Sequence, residues 1–305
     1  MHYTNHFEKL CEKFSFPKEA NDIFFATAKR LDGDKRLSDE FDNIVKLYMD
    51  SETSDISAAV ENLKHLAHEM NIHEFTVNMV FLIVCSEILL EKYITNGYDE
   101  ELFWVTMVDL RYKLLECMEC KHIAGIFVPQ WYDGFLKMNR FTLGRFQYEK
   151  SSFPTNYKTK SGYEIKKGTK CLSFHIPSTG VSLTDEVRFE SYKRAYEFYG
   201  DDSKLADGNM ILTCNSWLLY PRHKDFLPKY LNILKFMNDF EIYKSEESKT
   251  FNDGWRVYGS YFDLPMQEWP EDTSLRKAYK KWLLEGNPAG SGEGVIVFDG
   301  EKILN

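Results

Sequence analysis

The sequence predicts an α+β protein, in which an all-helical N-terminal domain is followed by a mixed β-sheet domain flanked by helices. Before residue 125, apolar residues recur at helical spacing, whereas later strand-like runs are separated by Gly, Pro and Asn. Acidic residues outnumber basic ones in the first part and nearly balance them in the second. Both changes predict a boundary that gives domains 1–125 and 126–305.

The composition is that of a globular protein and argues against some classes of partner. The chain has 305 residues, of which 43% are hydrophobic and 28% are charged, and its net charge is -9. We expect no nucleic-acid binding, because phosphate contacts need clustered cations and this acidic chain has no basic block. The most apolar run, residues 77–90, is shorter than the ~20 residues of a membrane span, so we interpret it as a buried helix and expect no membrane association.

The cysteines and the first residues indicate a compartment. Residues 1–10 carry His, Glu and Lys and no apolar segment, so we expect no secretory signal and a cytoplasmic protein with reduced thiols. Cys117, Cys120 and His122 resemble half of a zinc site. A structural zinc needs four ligands, and no second Cys/His pair has matching spacing, so we predict no metal.

Capping residues delimit the helices predicted for the first part. Pro17 fits the first turn of a helix that runs toward Arg30, and residues 32–34 form a turn. Ser38 opens the next helix, and Asp55 caps a third. After the turn, the predicted helices cover residues 38–49, 56–68, 71–92 and 99–117.

The second part alternates between strands and helices in the order β-β-β-α-β-α-β-α-β, which is typical of a mixed sheet with helices on its faces. The predicted strands are residues 141–150, 163–167, 170–176, 209–219, 255–261 and 294–299. The predicted helices are residues 184–199, 225–240 and 273–285, with a short one at 133–139. The glycine-rich residues 290–294 are interpreted as a helix stop and flexible turn, which could border an acceptor site.

The central unit is a strand ending at Pro177, a loop of small residues, a helix capped by Thr184 and a second strand, residues 209–219. A strand that feeds a helix in this way exposes backbone N–H groups at the helix start, where anions such as a pyrophosphate bind. Ser178, Thr179 and Gly180 are therefore candidates for an anion cradle. The same residue types also favour an ordinary cap and turn.

Several segments of this unit and its flanks resemble a known family. They are residues 143–149 (LGRFQYE), 174–180 (FHIPSTG), 214–219 (CNSWLL), 232–236 (NILKF) and 271–275 (EDTSL). In this order they resemble bacterial acyltransferase-domain proteins with a GNAT-like C-terminal half and an all-helical N-terminal half. The resemblance covers roughly residues 1–300 and implies a GNAT-like fold that uses acyl-CoA or acetyl-CoA as co-substrate.

The sequence departs from the pattern of GNAT enzymes at two places. Their pyrophosphate loop reads Gln/Arg-x-x-Gly-x-Gly/Ala, whereas residues 177–182 here contain one Gly and begin with neither Gln nor Arg. GNAT enzymes also often carry a Tyr that protonates the leaving thiolate. Phe236 and Met237 occupy the corresponding region.

His175, at the end of a predicted strand, is the candidate catalytic base, since a neutral imidazole can take a proton from an amine. Alternatively, it bonds a backbone group and orders the loop. Ser216 is predicted to contact the cofactor together with Ser178, Thr179 and Gly180. Cys214, two residues before Ser216, is interpreted as a buried, inert thiol, because Cys is among the most buried residue types. Direct transfer needs no nucleophile, so none is assigned.

The leading hypothesis is an acyl-CoA-dependent N-acyltransferase that acts by direct transfer on a small-molecule amine. The acidic helical part could attract a cationic acceptor. The alternative is a catalytically inactive GNAT-like ligand-binding or scaffold protein, and a third interpretation is a sensor for another phosphorylated ligand. The hypothesis depends on an open groove between strands 170–177 and 209–219, next to the amides around Gly180.

Overall fold

The computed structural model describes residues 4–51 and 53–305, and the chain forms two compact units. The first unit ends at Phe141, and the second runs from Thr142 to Asn305. Residues 1–3, which belong to the segment where no secretory signal is expected, and residue 52 lie outside the described residues. The fold confirms the predicted order of a helical region followed by a mixed sheet with flanking helices.

The first unit is mainly helical. Its helices are α1 (Thr4–Lys13), α2 (Lys18–Asp32), α3 (Lys35–Met49), α4 (Ile56–Glu69), α5 (Glu74–Thr95), α6 (Glu100–Met107), α7 (Asp109–Lys121) and, after the 3-10 turn Pro129–Tyr132, α8 (Asp133–Leu136). The carboxylates of Asp34, Asp55 and Asp99 accept N–H groups of the first turns of α3, α4 and α6. These caps satisfy donors that a helix start leaves without partners.

Helix α5 is the centre of this unit. It contacts α1, α2, α3, α4 and α6, and all of its side chains from Thr76 to Ser86 are buried. A helix that is apolar all round fits such a position, which explains the run identified in the sequence. Among the described residues, no helix has both the length and the apolarity needed to cross a membrane.

Two features of the first unit differ from the sequence-based prediction. The helix predicted at residues 99–117 is two helices, because Arg111 donates its amide to Val108 in a tight 3-10 turn that interrupts the α-helical pattern. The unit also extends beyond residue 125, since the 3-10 turn Pro129–Tyr132 contacts α4 and α5, and α8 contacts α5.

The second unit carries a six-stranded sheet and a two-stranded one. The strands of these sheets are β1 (Arg140–Leu143), which begins two residues before the second unit, and β2 (Phe146–Ser152), β3 (Tyr157–Lys158), β4 (Glu164–Ile165), β5 (Lys170–His175), β6 (Met210–Ser216), β7 (Glu241–Ser248) and β8 (Ala289–Phe298). Its helices are α9 (Asp185–Ser203), α10 (His223–Phe226), α11 (Asn232–Asn238), α12 (Trp255–Tyr258) and α13 (Ser274–Leu284). The large sheet has the order β1-β2-β5-β6-β8-β7, and β3 pairs with β4.

The two faces of the large sheet are packed differently. On one, the helix face, Tyr192 of α9 packs its ring against Phe146 and Phe174, and Phe236 of α11 packs against Phe146. The opposite face, which we call the hairpin face, includes Cys171 and other buried residues of one cluster. Its members are Phe153, Ile165, Cys171, Ile211, Val295 and Val297, of which Ile165 belongs to the β3–β4 pair.

The prediction of a strand at residues 255–261 is wrong. This segment forms α12 and the start of a 3-10 turn, because Val257 and Tyr258 pack into an aromatic cluster with Trp269. Arg276 donates to the carbonyl of Val257, and Tyr258 donates to that of Arg276. Aromatic residues favour strands only where a sheet surface receives them, and here tertiary packing decides otherwise.

The glycine-rich turn predicted at residues 290–294 is also wrong, because these residues lie inside β8. A side chain at Gly292 would overlap the carbonyl oxygen of Leu219, and one at Gly290 would overlap the ring of Tyr220. The glycines therefore allow the 3-10 turn Trp217–Leu219 to cross close over β8.

Two further predicted elements are each divided into two in the structure. The strand predicted at 141–150 is β1 and β2, joined at Gly144, which has a φ of +73°. The helix predicted at 225–240 is α10 and α11.

Candidate active site

Strands β5 and β6 separate toward their carboxyl ends. They pair in parallel at Leu172 with Leu212 and at Ser173 with Thr213. Beyond Ser173, β5 continues its pairing with β2 as far as His175, and β6 continues with β8. The two strands thus share no register partner past these two pairs, although they are neighbours in the sheet. The result is a notch at the carboxyl ends of parallel strands, where ligands of α/β sheets commonly bind.

Arg145 holds the loop between β5 and α9 in place through hydrogen bonds. The guanidinium of this buried residue donates to the carbonyl oxygens of Pro177 and Val181, at 2.8 and 3.1 Å. The loop also closes on itself, because Thr179 donates its amide to Pro177, and Val181 donates its amide to the hydroxyl of Thr179. Both amides are thereby used within the loop.

Gly180 is exposed in this loop and has an unusual backbone conformation. Its φ is +76°, a conformation that side chains rarely adopt, and a Cβ there would meet no atom within 4 Å. Within the described residues its amide makes no hydrogen bond to protein. Of the amides around position 180, those of Thr179 and Val181 are occupied, and that of Gly180 remains available to a ligand.

The start of α9 is fixed by a buried ion pair. Arg188 donates twice to the carboxylate of Asp239, at 2.6 and 3.0 Å, and once to the carbonyl of Leu183 at 2.7 Å. Thr184 caps the helix, as the sequence predicts. These contacts fix the start of α9, so the free amides of its first turn lie beside the loop.

His175 faces a carboxylate across the strand pair β2–β5. Its Nε2 lies 3.0 Å from Oε1 of Glu149, and the two side chains are 26% and 25% exposed. Glu149 pairs in register with Ser173, and His175 pairs with Gln147, so alternation puts both side chains on the hairpin face. A carboxylate in this position fixes the orientation of an imidazole.

The environments of Ser216 and Cys214 differ from that of His175. The hydroxyl of Ser216 accepts the amide of Leu218 and caps the following 3-10 turn. Cys214 is buried, and burial raises the pKa of its thiol, which suits an inert residue. The structure thus groups His175 with Glu149 and the notch, and it groups Ser178, Thr179 and Gly180 in the loop beside α9.

Comparison with known proteins assigns this architecture. Residues 141–296 match the model described as a GNAT-like C-terminal domain. The chain belongs to this GNAT-like family. Residues 5–138 match the model described as an N-acyltransferase N-terminal domain. The family resemblance seen in the sequence is thereby confirmed. No curated protein matches the sequence.

Solved acyltransferase structures share the fold. A mutant acyltransferase in complex with octanoyl-CoA has a TM-score of 0.73 at 17% identity, over 95% of this chain and 87% of the other. An acyltransferase in complex with decanoyl-CoA and teicoplanin has a TM-score of 0.72 at 18% identity, with the same coverage of 95% and 87%. A third, with CoA and 10C-teicoplanin, has a TM-score of 0.71 at 19% identity, over 94% and 86%.

This GNAT-like chain has no tyrosine at the position expected for a catalytic acid. Phe236 and Met237 are buried, and Phe236 packs on the helix face. Tyr230 is exposed and shares a hydrogen bond with Ser274. Tyr243 lies on β7 and donates its hydroxyl to Glu293.

The described residues of this GNAT-like chain contain no cluster of three or more His, Cys, Asp or Glu that could hold a metal ion. Cys117 and Cys120 are buried, and burial raises the pKa of the Cys117 thiol to about 12. A thiol with that pKa is a poor source of the thiolate that zinc requires.

Glu149 is the site residue that the sequence analysis missed. The alternation of β2 places it on a known side of its strand, but its partner depends on which strand lies next to β2. The sheet order supplies that information, because β5 is adjacent to β2 and antiparallel to it.

Proposed function

We propose that the protein is an acyl-CoA-dependent N-acyltransferase that transfers the acyl group directly from the thioester to the amine of a small-molecule acceptor. The main support is the notch beyond Ser173 and Thr213, which opens beside the start of α9. The family assignment supports acyl transfer, and solved acyltransferases of the same fold carry octanoyl-CoA or decanoyl-CoA.

The loop and the helix start provide the binding groups for the CoA part of the co-substrate. The available amide of Gly180, the hydroxyls of Ser178 and Thr179, and the free amides of the first turn of α9 can donate to pyrophosphate oxygens. Two carbonyls of this loop point to Arg145 instead of toward an anion. The acyl-CoA or acetyl-CoA thioester would then extend into the notch.

The reaction needs one proton acceptor and a good leaving group. The amine nitrogen forms a bond to the thioester carbonyl carbon, His175 takes the proton from nitrogen, and the carbon–sulfur bond breaks to release CoA. Glu149 stabilises the imidazolium that results, because its carboxylate already contacts Nε2 of His175. A thiol with a reference pKa of about 8.5, such as that of CoA, leaves readily as the thiolate. Transfer therefore does not require a tyrosine to protonate the sulfur at the position where Phe236 lies.

Binding and transfer are tested separately. Calorimetry of the full chain with acetyl-, octanoyl- and decanoyl-CoA measures binding, and no detectable binding to any of them would contradict the proposal. Release of free CoA thiol in the presence of an amine panel measures transfer. We expect His175→Gln to lower kcat by about 10²–10⁴-fold while the Kd for acyl-CoA stays unchanged.

Glu149→Gln should lower kcat less than His175→Gln, because it removes charge stabilisation and keeps the base. Ser151→Ala, two residues further along β2 and exposed, is the matched control and should retain wild-type kcat. An unchanged kcat in His175→Gln would show that another group accepts the proton.

A binding or scaffold function without transfer is the second candidate. The observation that favours it is that the amides of Thr179 and Val181 are already bonded within the loop. Gly180→Arg discriminates between the two. The enzyme would lose affinity for acyl-CoA in this variant, whereas a scaffold without a CoA site would have no such affinity in the wild type.

A further inference from the structure

The hairpin face of the sheet changes from apolar to polar toward the notch. Cys171 of β5 and Ile211 of β6 are buried in the apolar cluster of this face. Two residues further along each strand the side chains are Ser173 and Thr213. The next residues on the same face are His175 on β5 and Asn215 on β6. Strands that pair in parallel, as β5 and β6 do, are normally covered on both faces and apolar throughout. Polar residues here indicate that this part of the face meets a ligand.

Asn215 has no structural role that accounts for it. It lies on β6, a central strand between β5 and β8, and it is exposed. Its side chain makes no hydrogen bond to any residue that the structure describes. A carboxamide offers two donors and one acceptor, so Asn215 keeps its full hydrogen-bonding capacity for a ligand.

Glu293 lies directly beside Asn215. The two are register partners on β6 and β8, and cross-strand partners project from the same face. The carboxylate of Glu293 is 22% exposed and is held by Lys244 at 2.7 Å and by the hydroxyl of Tyr243 at 3.2 Å. A carboxylate can accept about four hydrogen bonds, so capacity remains for a further donor.

The charge around Glu293 stays negative although Lys244 contacts it. Lys244 is shared between Glu293 and Glu246, the latter at 3.0 Å, so one ammonium group faces two carboxylates. On the far side of the notch, Glu149 adds another carboxylate on the same face. The face therefore attracts cations.

We propose that Asn215 and Glu293 form an acceptor-binding subsite, and that the acceptor carries a second cationic group besides the amine that reacts. This inference rests on the proposed function, with His175 as the base. His175 and Asn215 each lie two residues beyond the last shared pair, so they stand at the same level on opposite sides of the notch. Glu293 is one strand further away. Two strand spacings of about 5 Å give roughly 10 Å as the smallest distance between the reacting amine and the second cation, because the notch widens the first spacing.

The probes are diaminooctane and octylamine, which differ in the second amine. The wild-type protein should bind diaminooctane more tightly in calorimetry and should show the lower KM for it as an acyl acceptor. Glu293→Gln should raise the KM for diaminooctane about 10-fold, since it removes one charge-assisted contact. The KM for octylamine and the Kd for acyl-CoA should stay unchanged.

Glu190→Gln is the matched control, because it also removes a carboxylate from an ion pair, here with Arg194, but lies on α9. It should retain the wild-type preference. Asn215→Ala should raise the KM for both amines, and an unchanged Kd for acyl-CoA will show that the notch is still folded.

The outcomes separate this inference from the proposed function. If the wild type discriminates between the two amines no better than Glu293→Gln does, the subsite is overturned. If the wild type binds no acyl-CoA, the proposed function fails. Calorimetric binding of the amines tests the subsite in either case.

Discussion

The guanidinium of Arg145 donates a hydrogen bond of 2.8 Å to the carbonyl oxygen of Pro177. Arg145 follows the turn at Gly144, whereas Pro177 follows β5, so this bond joins two segments that are distant in sequence. Its second bond goes to Val181 at the other end of the loop. One buried side chain therefore fixes the loop that carries Gly180, and it keeps two acceptor oxygens away from the position proposed for an anion.

We predict that Arg145→Gln raises the KM for acyl-CoA about 10-fold and leaves kcat within a few-fold of the wild type. The loop carbonyls lose charge-assisted donors, each contributing about 1.5–3 kcal/mol, and the loop amides lose their fixed orientation. Arg145→Lys keeps the charge and should show a smaller effect. Steady-state kinetics that separate KM from kcat provide the measurement.

Arg194→Gln is the control for the loss of an arginine, since Arg194 is exposed and forms an ion pair with Glu190 on α9. It should leave both constants unchanged. A decrease of kcat in Arg145→Gln with an unaltered KM would contradict a positioning role at the cofactor loop.

Substitution of Gly180 tests the cofactor loop without a change of charge. Gly180→Ala forces a Cβ into the left-handed region, at a cost of about 1–2 kcal/mol. Gly168→Ala is a matched control, because Gly168 has a φ of +85° and equally open surroundings. Both variants should lose similar stability in urea unfolding. Only Gly180→Ala should weaken acyl-CoA binding in calorimetry, and equal Kd values for both would argue against an anion at this loop.

Local patterns in the sequence predicted much of the fold around the site. The caps Asp55 and Thr184 and the strand–loop–helix–strand unit follow from short-range chemistry, and the structure confirms them. The polar strand β7 was missed, because its exposed edge residues give no clear alternation. The contact between His175 and Glu149 was also missed, since it depends on the strand order and not on spacing along the chain.

Gly292→Ala should destabilise the second unit. The new methyl group would overlap the carbonyl oxygen of Leu219, a backbone atom that cannot rotate away. Overpacking of this kind costs about 1–3 kcal/mol, which urea unfolding followed by tryptophan fluorescence can measure. Ser291→Ala, the next residue on the other face of β8, should change the free energy of unfolding by less than about 0.5 kcal/mol. Equal stability of both variants would mean that the 3-10 turn can move away from β8.

The stability of the protein should fall as the pH is lowered from about 6.5 to about 4, in part because of two buried histidines. Burial lowers the pKa of His6, and also that of His223, from 6.5 to about 4. His6 contacts the hydroxyl of Ser86, and His223 contacts the hydroxyl of Tyr279. Between these pH values the unfolded chain binds protons that the folded chain excludes. The free energy of unfolding therefore decreases by up to about 1.4 kcal/mol per pH unit for each histidine.

Urea unfolding between pH 4.5 and 7.5 measures this dependence, and substitutions isolate the histidine part from that of the carboxylates. His6→Gln keeps a polar group beside Ser86 but cannot be protonated, so its stability should decline less steeply than that of the wild type below pH 6.5. His65→Gln, at an exposed position of α4, should follow the wild-type curve. If the His6→Gln curve runs parallel to that of the wild type, the imidazole of His6 binds a proton as readily in the folded protein as in the unfolded chain, and burial does not lower its pKa.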